Sequence, residues 1–394
     1  MLKLNLHLCV FYVAHILFYA ELLHKLLGRG ELRVAGMQGQ DLALIGVLGY
    51  SFFFVSGFQA ILNSTWSRAY LAFLAVFTVY GVLQGNELGW IRTDLRTWLW
   101  LYGGIALFLM LQSSRRPVWH LAIIFIALTG MANLGKQQAI SAFGNLVAGQ
   151  DRFYNLNLME VSTIFLVYLG LLLNFFDGFK QAKWLTIPVV TTFLYYGIYI
   201  CATRNIMLSF IVLMTLSIYR EYIKGEGVNL ARLAGFGITG LVALLLILSS
   251  PAGQRFLNGD KQDKKSTSTR WEEVVNVSQE FQPVELLFGK GMGTTFQNAI
   301  NPGNYALHLG VFNLYFKFGL LALVGFTVIV CLYLPVSFML SRGINDALLR
   351  ALPYCFSWLV IFCISGGYHT NYMLGIGMSL AFLTTLRKES QLVS

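Results

Sequence analysis

The sequence predicts an all-α polytopic membrane protein of about twelve transmembrane helices, with one large loop between two of them. Three observations carry this. The 394-residue chain is 56% hydrophobic and 12% charged, with a mean hydropathy of +0.64. That is too little charge to cover a soluble surface of this size. Apolar stretches recur at the roughly 20-residue length that crosses about 30 Å of hydrocarbon. These stretches are continuously apolar and do not alternate, which argues against a β-barrel.

Taken in order, the first span runs from about residue 5 to 24 and has no small-residue cleavage site, so it is expected to be retained. The others fall near 42–62, 69–85, 97–112, 117–133, 156–176, 184–202, 204–219, 232–250, 309–333, 349–366 and 371–386. The fourth and fifth are short. Residues 1–394 form a single transmembrane domain in this reading, and the segment 251–308 is its large loop. The five cysteines all sit in apolar segments without CxxC spacing, so they read as small buried hydrophobes. The net charge of +10 suits loops that face anionic lipid headgroups. Its basic residues are scattered among helix ends, so no nucleic-acid partner is expected.

Lys and Arg in the short loops favour a cytoplasmic N-terminus, with Arg115, Arg116, Lys180 and Lys183 on that side. The large loop then falls on the outer side. It contains "NGDKQDKKSTSTRW" (258–271), the most water-seeking stretch of the chain. Its beginning reads as flexible. Thr269 to Glu272 matches a capping box, and Trp271, Val274 and Val275 follow at helical spacing, so a surface helix is expected over about 270–281. Gln282-Pro283 ends it.

Several polar residues gather at this outer face. Arg204, in "YICATRNIMLSF", reads either as an Arg snorkelling from a helix end or as a guanidinium facing a membrane-edge cavity. Its fork suits phosphate oxygens. Arg270 opens the expected surface helix, where free N–H groups would help to hold an anion beside it. His308 lies where the loop re-enters the bilayer, and an imidazole there can act as a general base. Arg152 and Glu160 stand at the start of the sixth span. Lys317 lies inside the tenth and must find a partner or a wet cavity, with Glu160 as a candidate partner. "FGKGMG" (288–293) lacks the spacing and the βαβ setting of a dinucleotide fingerprint, and reads as a tight turn leading back to the membrane. There is no DxD, HExxH, GxSxG or Walker A motif, so neither a metal nor a cofactor is expected.

Three features in order, "ATRNIMLSF", "STSTRWEEV" and "LLFGKGMGTTF…HLGVFNLYFKFGLLALVGF", together resemble the O-antigen ligase and O-antigen polymerase superfamily of bacterial inner membranes. The resemblance covers roughly residues 150 to 330. It implies a GT-C-type glycosyltransferase whose active site faces the periplasm. Its donor would be a glycan on undecaprenyl pyrophosphate, and its acceptor a glycan or lipid A-core. By carry-over, Arg204 and Arg270 hold the pyrophosphate and His308 is the catalytic residue. Arg152, Asn313, Lys317 and Glu160 complete the expected substrate-binding set. The ligase pattern places Asn or Ser directly after the His, whereas here Leu309 follows and Asn313 comes later. That favours a metal-independent, inverting polymerase of lipid-linked repeat units, with a chain-length regulator as a further candidate partner. The alternatives are a ligase joining the glycan to lipid A-core and, from another class, a flippase for lipid-linked oligosaccharides. A flippase should show repeated halves and mid-membrane charges.

Overall fold

Long runs of Leu, Phe, Val and Ala become helices here because a chain in hydrocarbon must satisfy its own backbone polar groups. The computed structural model describes residues 6–26, 33–34, 36–143, 152–176, 178–196, 206, 208–215, 238, 241–242, 245, 248–249, 261–299, 302–303, 306–307, 310–328 and 372–381. In the first half of the chain these form α1 (Leu6–Leu26), α2 (Gly39–Phe54), α3 (Ser56–Leu62), α4 (Thr65–Leu83), α5 (Leu88–Gln112), α6 (Pro117–Phe143), α7 (Arg152–Asn174), α8 (Gly178–Gln181) and α9 (Lys183–Phe193). The large loop gives α10 (Lys261–Ser278) and α11 (Pro283–Phe288), and α12 (Gly310–Thr327) follows it. One two-residue ladder, β1 (Arg33–Val34) against β2 (Met37–Gln38), is the only sheet among the described residues.

Three helices are long and apolar enough to cross a membrane: Leu6–His24, Thr65–Leu83 and Pro117–Gln137. Shorter apolar helices are Gly39–Phe54, Glu160–Asn174, Gly310–Gly325 and Tyr372–Ala381. The long ones turn large apolar side chains outward, Leu83 at 78% and Ile126 at 72% exposure. A helix apolar on its outward face as well as its inward one needs an apolar surrounding. Among the described residues the regular structure is thus almost entirely helical, with three helices fit to span a membrane.

The helices depart from the expected spans in three places. The stretch 42–62 is two helices, α2 and α3, broken at Val55. The fourth and fifth spans are not short: α5 has 25 residues and α6 has 27. α5 begins early because its polar first turns are answered by distant partners, Arg96 by Asp41 and Gln38, and Asp94 by Lys317. A count of local hydropathy reads those turns as loop.

Neighbouring helices alternate in direction as the sequence predicts. α6 and α9 run parallel: Trp119 meets Trp184 at one end, with centroids 5.3 Å apart, and Lys136 Nζ meets the Tyr195 hydroxyl at 2.8 Å at the other. α1 and α2 run antiparallel, joined at one end by Tyr50 and His7 and at the other by the Gln40 N–H donating to Glu21 at 2.9 Å. Trp119 and Trp184 are exposed beside Arg115, Arg116 and Lys183, an arrangement that suits a membrane–water boundary. The opposite end of the bundle gathers the end of α4 and the starts of α2 and α5. α5 also packs closely on Tyr372–Ala381, because Gly104 leaves room for the Leu374 carbonyl and Gly377 for that of Leu101.

Candidate functional site

The candidate site lies where the outer segment rejoins the bundle. α10 presents Val274 and Val277 inward, and Phe281 follows just beyond its end. These bury against Phe296, Ala299, Leu307 and Phe316, while the Trp271 ring meets Phe312 edge-on at 5.9 Å. The helix is not the one the sequence predicted. It starts at Lys261, well before Thr269, and ends at Ser278. The basic run contains no Gly or Pro to stop a helix, and Lys and Gln are good helix formers. Arg270 therefore stands in mid-helix and is partly buried. The N–H groups around it are engaged inside the helix, so no helix N-terminus is available to hold an anion beside it. That part of the expectation is corrected.

The "FGKGMG" turn is bound to the bundle along its whole length. α11 is capped by Gln282, whose N–H donates to Glu285 at 2.8 Å, and Pro283 takes the first helical position. Five successive N–H groups then follow. Gly289 donates to the Glu285 carbonyl, Lys290 to that of Phe316, Gly291 to that of Lys317 and Met292 to that of Phe77, at 2.6, 3.1, 2.9 and 3.1 Å. Gly293 donates to Asp94 Oδ2 at 2.7 Å. The Phe316 and Lys317 carbonyls are open to these donors because α12 breaks at Gly319, with φ 82° and ψ 178°. An unbroken helix would have used them four residues on. A phosphate cradle needs free N–H groups, and here all five are engaged. The Asn86 amide adds a clamp, donating to the carbonyls of Lys290 and Met292 at 2.9 Å each.

Lys317 donates to both oxygens of Asp94, at 2.8 and 2.6 Å, and both side chains are 0% exposed. A buried ammonium is tolerated only with such a partner. The expected pairing with Glu160 is thereby corrected: Glu160 is half-buried on α7, and the carboxylate on Lys317 comes from α5. The Lys317 ammonium is thus buried against Asp94 of α5. Asn313 is also fully buried. Its Nδ2 donates to the Leu307 carbonyl at 3.0 Å, and its Oδ1 accepts from the Leu307 N–H at 2.7 Å. Both ends of its amide thus hold backbone where the sequence expectation gave it a substrate to bind.

Arg204 and His308 lie outside the described residues, as does the side chain of Arg152, which opens α7. The described part of the site brings Trp271, the chain neighbour of Arg270, onto Phe312, joins Asn313 to Leu307, and pairs Lys317 with Asp94 where Glu160 was expected. Sequence reasoning missed Asp94, Asn86 and Glu280. The Glu280 carboxylate accepts the N–H groups of Gln297 and Asn298, and its carbonyl accepts from Lys290 Nζ at 3.0 Å. A carboxylate next to an apolar run was the available signal for Asp94. No protein-family model, curated protein or solved structure matches this chain.

Proposed function

We propose that the chain is a twelve-span, GT-C-type membrane glycosyltransferase that polymerises undecaprenyl-pyrophosphate-linked glycan repeat units at the periplasmic face of a bacterial inner membrane. The observation that carries this reading is the packing of α10, which bears Arg270, over the re-entering segment in which Asn313 clasps Leu307, the chain neighbour of His308. The ordered resemblance around Arg204, Arg270 and His308 supplies the roles. Arg270 and Arg204 bind the pyrophosphate, and Arg152 contributes to binding the same donor. His308 takes the proton of the acceptor hydroxyl. The acceptor oxygen bonds to the anomeric carbon from the side opposite the leaving group, the carbon–oxygen bond to pyrophosphate breaks, and the pyrophosphate departs with the electron pair. Arginines stabilise that charge without a metal, and the base contributes roughly 10²–10⁴-fold. The buried pair Asp94–Lys317 stands near the start of α5, toward one end of that helix, whereas a flippase is expected to carry its charges at mid-membrane.

The test is purified protein in detergent with lipid-linked repeat units and no added metal, products being resolved by gel. His308→Ala is expected to bind donor and form no ladder. A ladder of normal length from that variant would refute the base, and a requirement for divalent metal would overturn the mechanism.

A further inference from the structure

We propose that Asp94 is a positioning residue for the outer segment: it seats the base of that segment on the bundle and thereby sets where α10 carries Arg270. The inference for catalysis rests on the function proposed for Arg270, whereas the seating itself does not.

The two oxygens of Asp94 serve two different elements. Both receive the Lys317 ammonium from α12, and Oδ2 also receives the Gly293 N–H from the outer segment. Neutralising Lys317 needs only a carboxylate somewhere within reach. Taking Gly293 on the same group does more, because it fixes the segment's register against α5. The surroundings leave little room to slip. A Cβ on Gly293 would meet the backbone nitrogen of Ile91 at 2.8 Å, and one on Gly291 would meet that of Gly81 at 2.5 Å. Asn86, between α4 and α5, holds the carbonyls on either side of Gly291. The chain leaving this anchor supplies Phe296 and Ala299, and these form the floor on which Val274 and Val277 of α10 rest. A displaced Gly293 therefore displaces the floor, and with it the helix that bears Arg270.

The charge role and the acceptor role can be separated. Asp94→Asn alone would leave a buried ammonium without its counterion, so single changes confuse seating with folding. Asp94→Asn with Lys317→Met removes both charges and keeps an oxygen for Gly293. Asp94→Leu with Lys317→Met removes the charges and the oxygen. Seating is read by a cysteine pair at Trp271 and Phe312, whose rings lie 5.9 Å apart, with the five native cysteines replaced. A short bifunctional thiol reagent joins the pair in detergent-purified protein. A second pair at Trp119 and Trp184, 5.3 Å apart, reports on the bundle. The Asn/Met variant is expected to cross-link α10 to α12 at close to the parental rate. The Leu/Met variant should do so roughly tenfold more slowly or worse, the scale of losing a hydrogen bond to a buried acceptor, with the bundle pair unchanged. Equal rates in the two variants would overturn the proposal. So would parallel losses at both pairs, because Asp94 would then hold the bundle and not the outer segment. Cross-linking needs no substrate, so a failure of seating and a failure of the glycosyl-transfer reading give different results.

Discussion

Asn313 and Leu307 form a closed two-bond clasp, the side-chain amide of one taking both the N–H and the carbonyl of the other at 2.7 and 3.0 Å. Both residues are buried, Asn313 at 0% and Leu307 at 1% exposure. A primary amide presents a donor and an acceptor side by side without any change of protonation. The clasp ties Leu307, which is buried in one cluster with Phe316, to the first turn of α12. The next residue in the chain is His308.

Asn313→Ala should therefore act on the entry to α12. It leaves a buried N–H and a buried carbonyl unpaired, at about 1–3 kcal/mol each. Asn313→Asp keeps an acceptor for the N–H but sets a carboxylate oxygen against the carbonyl, and should be no better. The expected outcome is a lower apparent Tm in both, with glycan transfer falling further than donor binding. Transfer at the parental level in Asn313→Ala would show that the clasp does not bear on the reacting groups.

Arg270 gives a second prediction. Its helix buries Val274 and Val277 against Phe296, Leu307 and Phe316, so replacement is expected to leave α10 in place. Arg270→Ala is expected to lower transfer by roughly 10²–10³-fold, the scale for removing one donor aimed at developing charge. Arg270→Lys should fall between, since it keeps the charge and loses the fork. The check is initial rate against donor concentration for each variant. Full rates in both would remove Arg270 from the site.

How much of this was legible beforehand depends on whether the determining contact is local. Helices such as α1, α4 and α6 are set by their own apolar runs, and their common direction, each separated from the next by one span, follows from counting them. The start of α5 was not legible, because Arg92, Asp94 and Arg96 look like loop until Asp41 and Lys317 are known to answer two of them. Asp94 and Lys317 are 223 residues apart in sequence, and nothing in the chain ranks Asp94 above Glu160 as the partner. The start of α10 was misplaced because a local capping motif at Thr269 competes with a longer run of helix-forming residues, and the run won. The glycines of "FGKGMG" announced a turn. Their acceptors depend on a break at Gly319 hidden inside an apolar run, so the turn could be read and its anchorage could not.

Sidedness is a third prediction. The outer segment and the boundary marked by Trp119 and Trp184 lie at opposite ends of the bundle, and the basic short loops favour the latter as cytoplasmic. With the native cysteines replaced, a single cysteine at Lys264 should react with an impermeant thiol reagent in intact cells. One at Arg116 should react only after permeabilisation. The reverse pattern would invert the topology, and with it the face on which a lipid-linked donor is met.

The glycines provide the last prediction, and it separates two physical effects. Gly291 and Gly303 have nearly the same φ, 81° and 77°. A side chain at either position incurs the strain of the left-handed region, about 1–3 kcal/mol. Their surroundings differ. A Cβ on Gly303 would meet nothing within 4 Å, whereas one on Gly291 would lie 2.5 Å from the backbone nitrogen of Gly81 and 2.6 Å from its Cα. Backbone cannot rotate away as a side-chain tip can, so the segment or α4 must move. Moving the segment pulls the Lys290 and Gly291 donors from the carbonyls left open by the break in α12. Gly303→Ala should thus cost only the backbone strain and lower the apparent Tm modestly. Gly291→Ala adds overpacking of about 1–3 kcal/mol, together with at least one lost buried hydrogen bond. It should show a clearly larger fall, or poor recovery of folded protein, in the same detergent. Thermal unfolding of the two variants side by side decides the matter. Equal shifts would mean that the contact between Gly291 and Gly81 is not tight, and the anchoring of the outer segment to α4 would fall with it.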